Sequence, residues 1–201
     1  MSTSQKICKR LFDLVVAFAA LIFIWPIIVL GWLAATISTG KNGFFIQQRV
    51  GLNGQLFPLL KLRSMRVVPG QQTTVTADDD QRITKTGRIL RKLKIDELPQ
   101  LINVLLGHMS LVGPRPDVPG FADQLAGDDQ IILSVRPGIT GPATIAFRNE
   151  EEMLAAVEDP ETYNREVIWP KKVALNKQYV QSQSLLGDVK LLWQTVIGTF
   201  V

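Results

Sequence analysis

Cysteine and histidine are almost absent from this 201-residue sequence, which contains one of each, Cys8 and His108. A single cysteine excludes an intrachain disulfide and a cysteine metal cluster, and a single histidine excludes a histidine-rich zinc site. The sequence also lacks the GxxxxGK[ST] and GxGxxG patterns, so neither a P-loop nor a Rossmann nucleotide site is supported. We therefore expect any metal to be held mainly by oxygen ligands, which indicates Mg²⁺ or Mn²⁺.

No basic strand carries the aromatic residues of an RNA-binding surface, so we expect no nucleic-acid partner. The net charge of +4 is a modest basic excess. By itself this excess suits a nucleic acid, an anionic membrane surface or a phosphorylated substrate equally well.

Charged residues are missing altogether between Leu14 and Gly40. A helix of about 24 residues would be about 36 Å long, enough to cross a hydrocarbon core of about 30 Å. The apolar run is too long for the core of a cleavable signal peptide, and no small-residue cleavage site closes it. The remaining alternative to a membrane helix is the buried core helix of a soluble protein.

Pro26 lies near the middle of this apolar run and removes a backbone hydrogen bond from any helix there. Two membrane models follow: a kinked helix that crosses once, or a re-entrant helix that dips into the bilayer and returns. Basic residues flank the run on both sides, which favours re-entry because the positive-inside rule places both ends in the cytoplasm. These residues are Lys6, Lys9 and Arg10 before the run and Lys41 and Arg49 after it.

The stretch from Thr84 to Gly107 combines cations, carboxylates and a helix pattern. Asp96 and Glu97 stand directly before a segment with apolar residues at i, i+3, i+4 and i+7, in which Pro99 fits the first turn and Gly107 fits the residue after the helix end. Free N–H groups at a helix start favour ionised carboxylates, and a phosphate-handling site needs such carboxylates beside cations. An ordinary N-cap with solvated charges fits the same spacing. Five cations precede the pair: Lys85, Arg88, Arg91, Lys92 and Lys94.

Two strands are predicted between Phe44 and Met65, joined by a Gly51-Leu-Asn-Gly54 turn. Lys61 and Arg63 alternate with leucines on the second strand, so one of its faces is cationic. Residues 66–83 have no periodicity and are predicted to form a loop, in which Asp78, Asp79 and Asp80 form a solvated acidic run or, as a weaker alternative, a cation site.

Two loops stiffened by proline and glycine follow the central helix. The first holds Arg115 between Pro114 and Pro116, which suits a guanidinium that binds phosphate, although a plain rigid turn fits equally well. The second carries Arg136 and Thr140. Residues 119–133 are predicted to form a short helix between these loops, and residues 149–159 an acidic helix and turn.

Residues 161–182 and 184–200 show helical patterns and are predicted to pack on the body or to lie on the membrane surface. The predicted class is α+β, with an N-terminal re-entrant membrane helix and a mostly helical cytosolic catalytic domain that contains a small β-hairpin. We divide the chain into residues 1–40, the basic N-terminus and membrane helix, and residues 41–201, the catalytic domain with membrane-surface amphipathic helices.

Seven segments together make the sequence resemble the bacterial sugar transferases, also called monotopic phosphoglycosyl transferases, over nearly its whole length. They are Lys9-Arg-Leu-Phe-Asp13, Phe44-Phe-x-Gln-x-Arg-x-Gly51, Lys61-x-Arg-Ser-Met65, Gly87-Arg-x-Leu-Arg-Lys92, Asp96-Glu-Leu-Pro-Gln-Leu-x-Asn-Val104, Met109-Ser-Leu-Val-Gly-Pro-Arg-Pro116 and Arg136-Pro-Gly-Ile-Thr-Gly141.

The resemblance implies an Mg²⁺-dependent enzyme in the cytoplasmic leaflet of the bacterial inner membrane. It would transfer a sugar-1-phosphate from a UDP-sugar to a polyprenyl (undecaprenyl) phosphate and release UMP, as the first membrane step of glycoconjugate assembly. The resemblance also implies that Asp96 is the covalent nucleophile and a metal ligand, that Glu97 is its catalytic partner, and that Pro26 breaks the membrane helix. The family often has Ser-Pro at this break, where this chain has Trp25-Pro26.

The resemblance also implies residues that bind the phosphates or the nucleotide, with Arg91 and Arg115 at the positions of phosphate-contacting cations. The predicted set is Arg63, Arg88, Arg91, Arg115, Arg136 and the uncharged Thr140. Two other hypotheses remain open: a non-catalytic membrane-surface scaffold, and a membrane-attached phosphohydrolase in which water replaces the lipid acceptor. The sequence assigns no oligomeric state.

Overall fold

The computed structural model of the chain describes residues 1–67 and 80–200. Within them, the α-helices are α1 Thr3–Thr39, α2 Lys85–Lys92, α3 Gln100–Leu105, α4 Pro142–Ala146, α5 Glu150–Ala155, α6 Pro160–Tyr163, α7 Trp169–Ser182 and α8 Leu185–Phe200. The strands are β1 Phe44–Val50, β2 Leu56–Leu62, β3 Ser110–Val112 and β4 Gly138–Thr140. This confirms a mostly helical protein with small sheets. Most of the predicted 66–83 loop, including Asp78 and Asp79, lies outside the described residues.

Helix α1 is the one described helix that is long and apolar enough to cross a membrane. It begins at a capping box between Ser2 and Gln5 and ends at Gly40, whose left-handed backbone closes the last turn. Pro26 lies inside this single helix and not between two helices. The predicted helix break therefore does not take the form of an interruption, and the re-entrant topology stays a prediction.

The predicted strand–turn–strand segment is confirmed as an antiparallel hairpin in which Phe44 pairs with Leu62 and Val50 with Leu56. Its turn uses left-handed backbone at Asn53 and Gly54, as the sequence indicated. Helix α3 joins the hairpin through the Asn103 side chain, which accepts a hydrogen bond from the Leu60 N–H at 2.9 Å and donates one to the Pro58 carbonyl.

The core lies between the first half of α1, the hairpin, α3 and β3, where buried residues such as Ala17, Leu101, Val104 and Met109 pack together. Strands β3 and β4 pair in parallel, Ser110 with Gly138 and Val112 with Thr140. A Cβ atom on Gly138 would lie 2.1 Å from the Gly113 nitrogen, so the two Pro/Gly-stiffened loops touch backbone to backbone.

A buried polar cluster fastens α1 to the C-terminal helices. The Lys9 ammonium lies 2.6 Å from an Asp188 carboxylate oxygen, and the Tyr179 hydroxyl lies 2.8 Å from the other oxygen of Asp188. One turn further along α1, Asp13 accepts a hydrogen bond from the Ser110 hydroxyl at 2.8 Å. Because Asp13 and Asp188 are almost fully buried, this cluster fixes how α1 sits on the body.

One helix prediction was wrong, and another is confirmed with a local irregularity. Residues 119–133 form 3₁₀ turns at Ala122–Gln124 and Gly127–Ser134, since Gly127 takes left-handed backbone and divides the segment. Residues 161–182 are helical as predicted, in α6 and α7 with a π turn at Asn164–Ile168 between them. Pro170 has no N–H to donate to the carbonyl four residues earlier, and the irregular turn lies at that point.

Candidate active site

Asp96 and Glu97 lie in a 3₁₀ turn, Ile95–Glu97, between α2 and α3. Lys94 precedes the turn in left-handed backbone, with a φ of 55°, and Pro99 is the residue directly before α3. Gly107 follows the end of α3 with positive φ. These positions confirm the predicted helix with two carboxylates before its start.

Glu97 is the fully paired member of the two carboxylates. Arg115 contacts both of its oxygens, at 2.5 Å and 3.2 Å, and the Lys61 ammonium lies 3.5 Å away. Burial alone would raise the pKa of Glu97, but the charges of Arg115 and Lys61 outweigh it and hold that pKa well below its usual value. Glu97 is therefore an ionised carboxylate that holds two cations in place.

Asp96 has the opposite environment. It is only 6% exposed, and its Oδ1 atom has no hydrogen-bond partner among the described residues. Burial and the neighbouring charge of Glu97 raise the pKa of Asp96 to about 6, although Lys61 and Arg91 oppose this shift. A buried carboxylate oxygen without a partner can attack an electrophile or coordinate a cation.

Two residues of the hairpin, Lys61 and Arg49, lie with Arg115 next to the carboxylate pair, and we call these three residues the cationic wall. Sequence reasoning did not single out Lys61 or Arg49 as site residues. Lys61 contacts Glu97, and Arg49 donates hydrogen bonds to the Pro116 carbonyl and to Gln47. Burial and Arg115 lower the pKa of Arg49 to about 10. Both residues share the face of the hairpin that carries buried Phe57, and this alternation is the signal that could have identified them.

Further carboxylates surround this wall. Burial raises the pKa of Asp117, which follows the Pro-Arg-Pro turn, to about 6, although Lys172, Arg49 and Arg115 oppose the shift. On α5, Glu151 pairs with Arg91 at 2.6 Å. Its neighbour Glu150 pairs with Lys172 of α7 at 2.6 Å. Short acidic α5 therefore neutralises Arg91, one of the two arginines predicted to contact phosphate.

Among the described residues, no hydrogen bond or ion pair joins the four remaining predicted residues to the carboxylate pair. Arg63 donates to the carbonyls of Asn42 and Phe44, which ties the end of β2 to the start of β1. Arg88 is exposed on α2. Arg136 donates to the Gly107 carbonyl at 2.8 Å, at the far end of α3, and Thr140 is buried with its hydroxyl 2.6 Å from that of Thr195.

The residues around Asp96 fit an Mg²⁺ ion that is held only partly by protein. No group of three or more His, Cys, Asp or Glu residues suited to a metal ion occurs in the described part of the chain. Asp96 Oδ1 is nevertheless a hard oxygen donor with no other partner. Mg²⁺ commonly binds through one or two carboxylates, with substrate phosphates and water as its other ligands.

Comparison with known proteins gives the family. The family model described as bacterial sugar transferase matches residues 4–201. The exopolysaccharide production protein ExoY of Sinorhizobium fredii is 36% identical over 94% of this chain and 84% of its own length. The UDP-glucose:undecaprenyl-phosphate glucose-1-phosphate transferase of Escherichia coli is 34% identical over the whole chain, and the undecaprenyl-phosphate galactose phosphotransferase of Salmonella typhimurium 34% identical over 96% of it.

This chain covers 42% and 40% of those last two proteins, so it corresponds to less than half of each. The match to the family model nevertheless extends over almost all of the described residues and includes the carboxylate pair, its cationic wall and the apolar helix. The chain belongs to the bacterial sugar transferase family and is an enzyme of that family.

Proposed function

We propose that this enzyme transfers a sugar-1-phosphate from a UDP-sugar to a polyprenyl phosphate in two steps through Asp96. In the first step, an Asp96 carboxylate oxygen attacks the sugar-bearing phosphorus, and the bond from that phosphorus to the bridging oxygen breaks, so UMP leaves. In the second step, a phosphate oxygen of the lipid attacks the same phosphorus. The Asp96 carboxylate is thereby released, and the product is a polyprenyl-diphosphate-sugar.

The observation that carries this proposal is the contrast between the two adjacent carboxylates. Glu97 is bound by Arg115 and Lys61, whereas Asp96 is buried with one oxygen for which the described residues provide no partner. A nucleophilic carboxylate needs an oxygen whose lone pair is not engaged in a hydrogen bond, and Oδ1 of Asp96 meets this requirement among the described residues.

Arg115 and Lys61 are suited to binding the diphosphate because Glu97 fixes both beside Asp96. Guanidinium and ammonium groups stabilise the negative charge that develops on phosphate oxygens during transfer. Mg²⁺, bound through Asp96 and the substrate phosphates, would supply further charge neutralisation there. Glu151 pairs with Arg91, and we expect a substrate phosphate to compete with that carboxylate.

The membrane helix explains how a water-soluble donor and a lipid acceptor can meet at one site. We propose that α1 enters and leaves the cytoplasmic leaflet of the inner membrane without crossing it, with Pro26 at the turning region. The catalytic body would then lie at headgroup level, where the phosphate of a polyprenyl phosphate is located.

The test is an assay of UMP release from a panel of UDP-sugars, with purified enzyme, undecaprenyl phosphate and Mg²⁺. The transferase releases UMP in amounts that match the lipid-linked product, whereas a phosphohydrolase would release sugar phosphate without lipid, and a scaffold would release nothing. Donor labelled in its sugar phosphate, added without acceptor, should leave label on the wild-type polypeptide and none on Asp96→Asn. Turnover without any such covalent label would reject the two-step route.

A further inference from the structure

Helix α2 carries a basic and apolar outer face that the reaction does not use. Its inner side packs tightly: a Cβ atom on Gly87 would lie 1.9 Å from the Ser64 carbonyl oxygen, and Leu90 is 5% exposed. The opposite side is open to solvent. We call this outer face, made of the exposed residues Lys85, Arg88, Ile89, Lys92 and Leu93, the α2 face.

The composition of the α2 face is unusual for a solvent-facing surface. Ile89 is 60% exposed and Leu93 48%, although both are large apolar residues. The three cations at positions 85, 88 and 92 flank them along the helix, and α2 itself contains no acidic residue. A short helix with lysine and arginine beside exposed aliphatic residues is typical of a segment that lies at the surface of an anionic membrane.

The position of α2 in the fold also favours a location at the membrane surface. Helix α2 packs against the second half of α1, where a Cβ atom on Gly31 would lie 3.7 Å from Leu90. Neighbouring residues of α1 that face away from the body, such as Leu30 and Ile37, are 67% and 83% exposed. Helix α2 thus lies beside the second half of the membrane helix.

We propose that the α2 face docks onto anionic phospholipid headgroups, with Ile89 and Leu93 at the acyl boundary and the cations on the lipid phosphates. The inference goes beyond the proposed reaction, and it assigns Arg88 to membrane phosphates in place of substrate phosphates. Since α2 leads directly into the Asp96 turn, docking would also fix the height of the active site above the bilayer.

The experiment places a single cysteine on the α2 face, as Ile89→Cys in a Cys8→Ser background, in the full chain reconstituted into vesicles. A membrane-impermeant maleimide reports how exposed this position is. Asp128→Cys in the same background is the matched control, because the Asp128 side chain is 96% exposed on the body. We expect the Ile89→Cys thiol to react about tenfold more slowly than the Asp128→Cys thiol in vesicles that contain phosphatidylglycerol. The two rates should converge in phosphatidylcholine vesicles or at high salt.

The double variant Lys85→Gln with Lys92→Gln removes two cations from the α2 face. It should weaken docking to the membrane by about fivefold for each lost cation and so expose the thiol of Ile89→Cys. Equal rates for the two thiols in anionic vesicles would overturn the proposal. If the Ile89→Cys thiol were protected from the maleimide whatever the lipid charge, the headgroup contact would be rejected. If it were already protected in detergent, a second copy of the chain would cover the α2 face. UMP release by the same samples reports separately on the proposed reaction.

Discussion

At the scale of single residues, the active site depends on two neighbouring carboxylates with different surroundings. Glu97 is bound by Arg115 and Lys61 and stays ionised, while Asp96 lies buried beside it with one oxygen that no residue in the described part of the chain contacts by a hydrogen bond. Two ionised carboxylates next to each other repel, and cations on one of them leave the other reactive. Charge placement thus gives Asp96 and Glu97 different roles although they are adjacent in sequence.

Replacing Asp96 by asparagine should separate activity from stability. Turnover is expected to fall by at least about a thousandfold, because the nucleophile is lost. In Mg²⁺-free buffer the melting temperature should stay the same or rise, because a buried, incompletely bonded charge is removed. Added Mg²⁺ should raise the melting temperature of the wild type and leave that of Asp96→Asn unchanged.

The matched variant is Glu97→Gln, which leaves Arg115 and Lys61 facing a neutral group. It should lose about 3 kcal/mol of unfolding free energy, since one member of a buried ion pair is removed. An Asp96→Asn protein that melts as early as Glu97→Gln would show that Asp96 is a structural residue.

Asp117 provides a test of the electrostatics around the site by pH. Its folded-state pKa of about 6 lies above the usual 3.8, so the folded protein holds this proton more tightly than the unfolded chain. The contribution of Asp117 to stability therefore falls as pH rises from about 4 to above 6. Relative to wild type, Asp117→Asn should gain about 2 kcal/mol between pH 4 and pH 7.5, measured by thermal or chemical unfolding.

Asp123 is the control of opposite sign. Slight burial raises the pKa of Asp123, but hydrogen bonds from the Gly120 N–H and from Gln124 outweigh it and hold that pKa below the usual value. Asp123→Asn should therefore lose stability relative to wild type as pH rises. If Asp117→Asn followed the same trend as Asp123→Asn, ionised Asp117 would be stabilised and not penalised by its surroundings.

The sequence singled out Asp96, Glu97 and Arg115 as candidate site residues through local signals, namely a helix start and a stiff Pro-Arg-Pro turn. The pairing of Arg115 with Glu97 is a contact across 18 positions and depends on how the loops fold onto α3. For Arg136 and Thr140 no local pattern reveals that one binds the end of α3 and the other packs against α8.

At the scale of secondary-structure elements, the hairpin and α3 were predictable because alternation and helical spacing act over a few residues. The helical segment from α6 to α7 was predictable in the same way, but its π turn before Pro170 was not, because that turn depends on one missing N–H within an otherwise helical pattern. The attachment of α1 to α8 was also invisible in the sequence, since Lys9 and Asp188 lie at opposite ends of the chain.

This attachment gives a prediction about packing between elements. Lys9→Met leaves Asp188 buried without its cation and should cost about 3–5 kcal/mol of unfolding free energy in detergent or nanodiscs. The double variant Lys9→Met with Asp188→Leu should recover most of that loss, because both charges are then replaced by apolar groups. Measured together with the single variant Asp188→Leu, these effects form a double-mutant cycle for the pair.

The surface pair of Lys177 and Asp129, 3.0 Å apart, is the matched control. Lys177→Met should cost less than about 1 kcal/mol because water screens that pair. If Lys9→Met cost no more than Lys177→Met, the contact between α1 and α8 would contribute little to the fold.

At the scale of the whole molecule, both halves of α1 contact one folded body. In the first half, Arg10 donates hydrogen bonds to the Val104 carbonyl of α3 at 2.9 Å and to Met109. In the second half, Gly31 packs against Leu62 of β2 so closely that a Cβ atom would lie 2.7 Å from the leucine. Since α3 and β2 are joined through Asn103, both halves of α1 contact the same packed unit, which favours the proposed re-entrant path.

We therefore expect both ends of α1 to be reachable from the cytoplasmic side only. Cys8 is exposed and is the single cysteine of the chain, so it is a native probe for the first end, and Lys41→Cys in a Cys8→Ser background is the probe for the second. A membrane-impermeant maleimide should label both thiols in inside-out vesicles and neither in intact spheroplasts. The control thiol of Asp128→Cys, on the folded body, should show the same pattern. Labelling of Cys8 in spheroplasts, while the thiols of Lys41→Cys and Asp128→Cys stay protected, would instead show that α1 crosses the membrane. The positive charges at the first end of α1 would then lie outside the cell, contrary to the positive-inside rule.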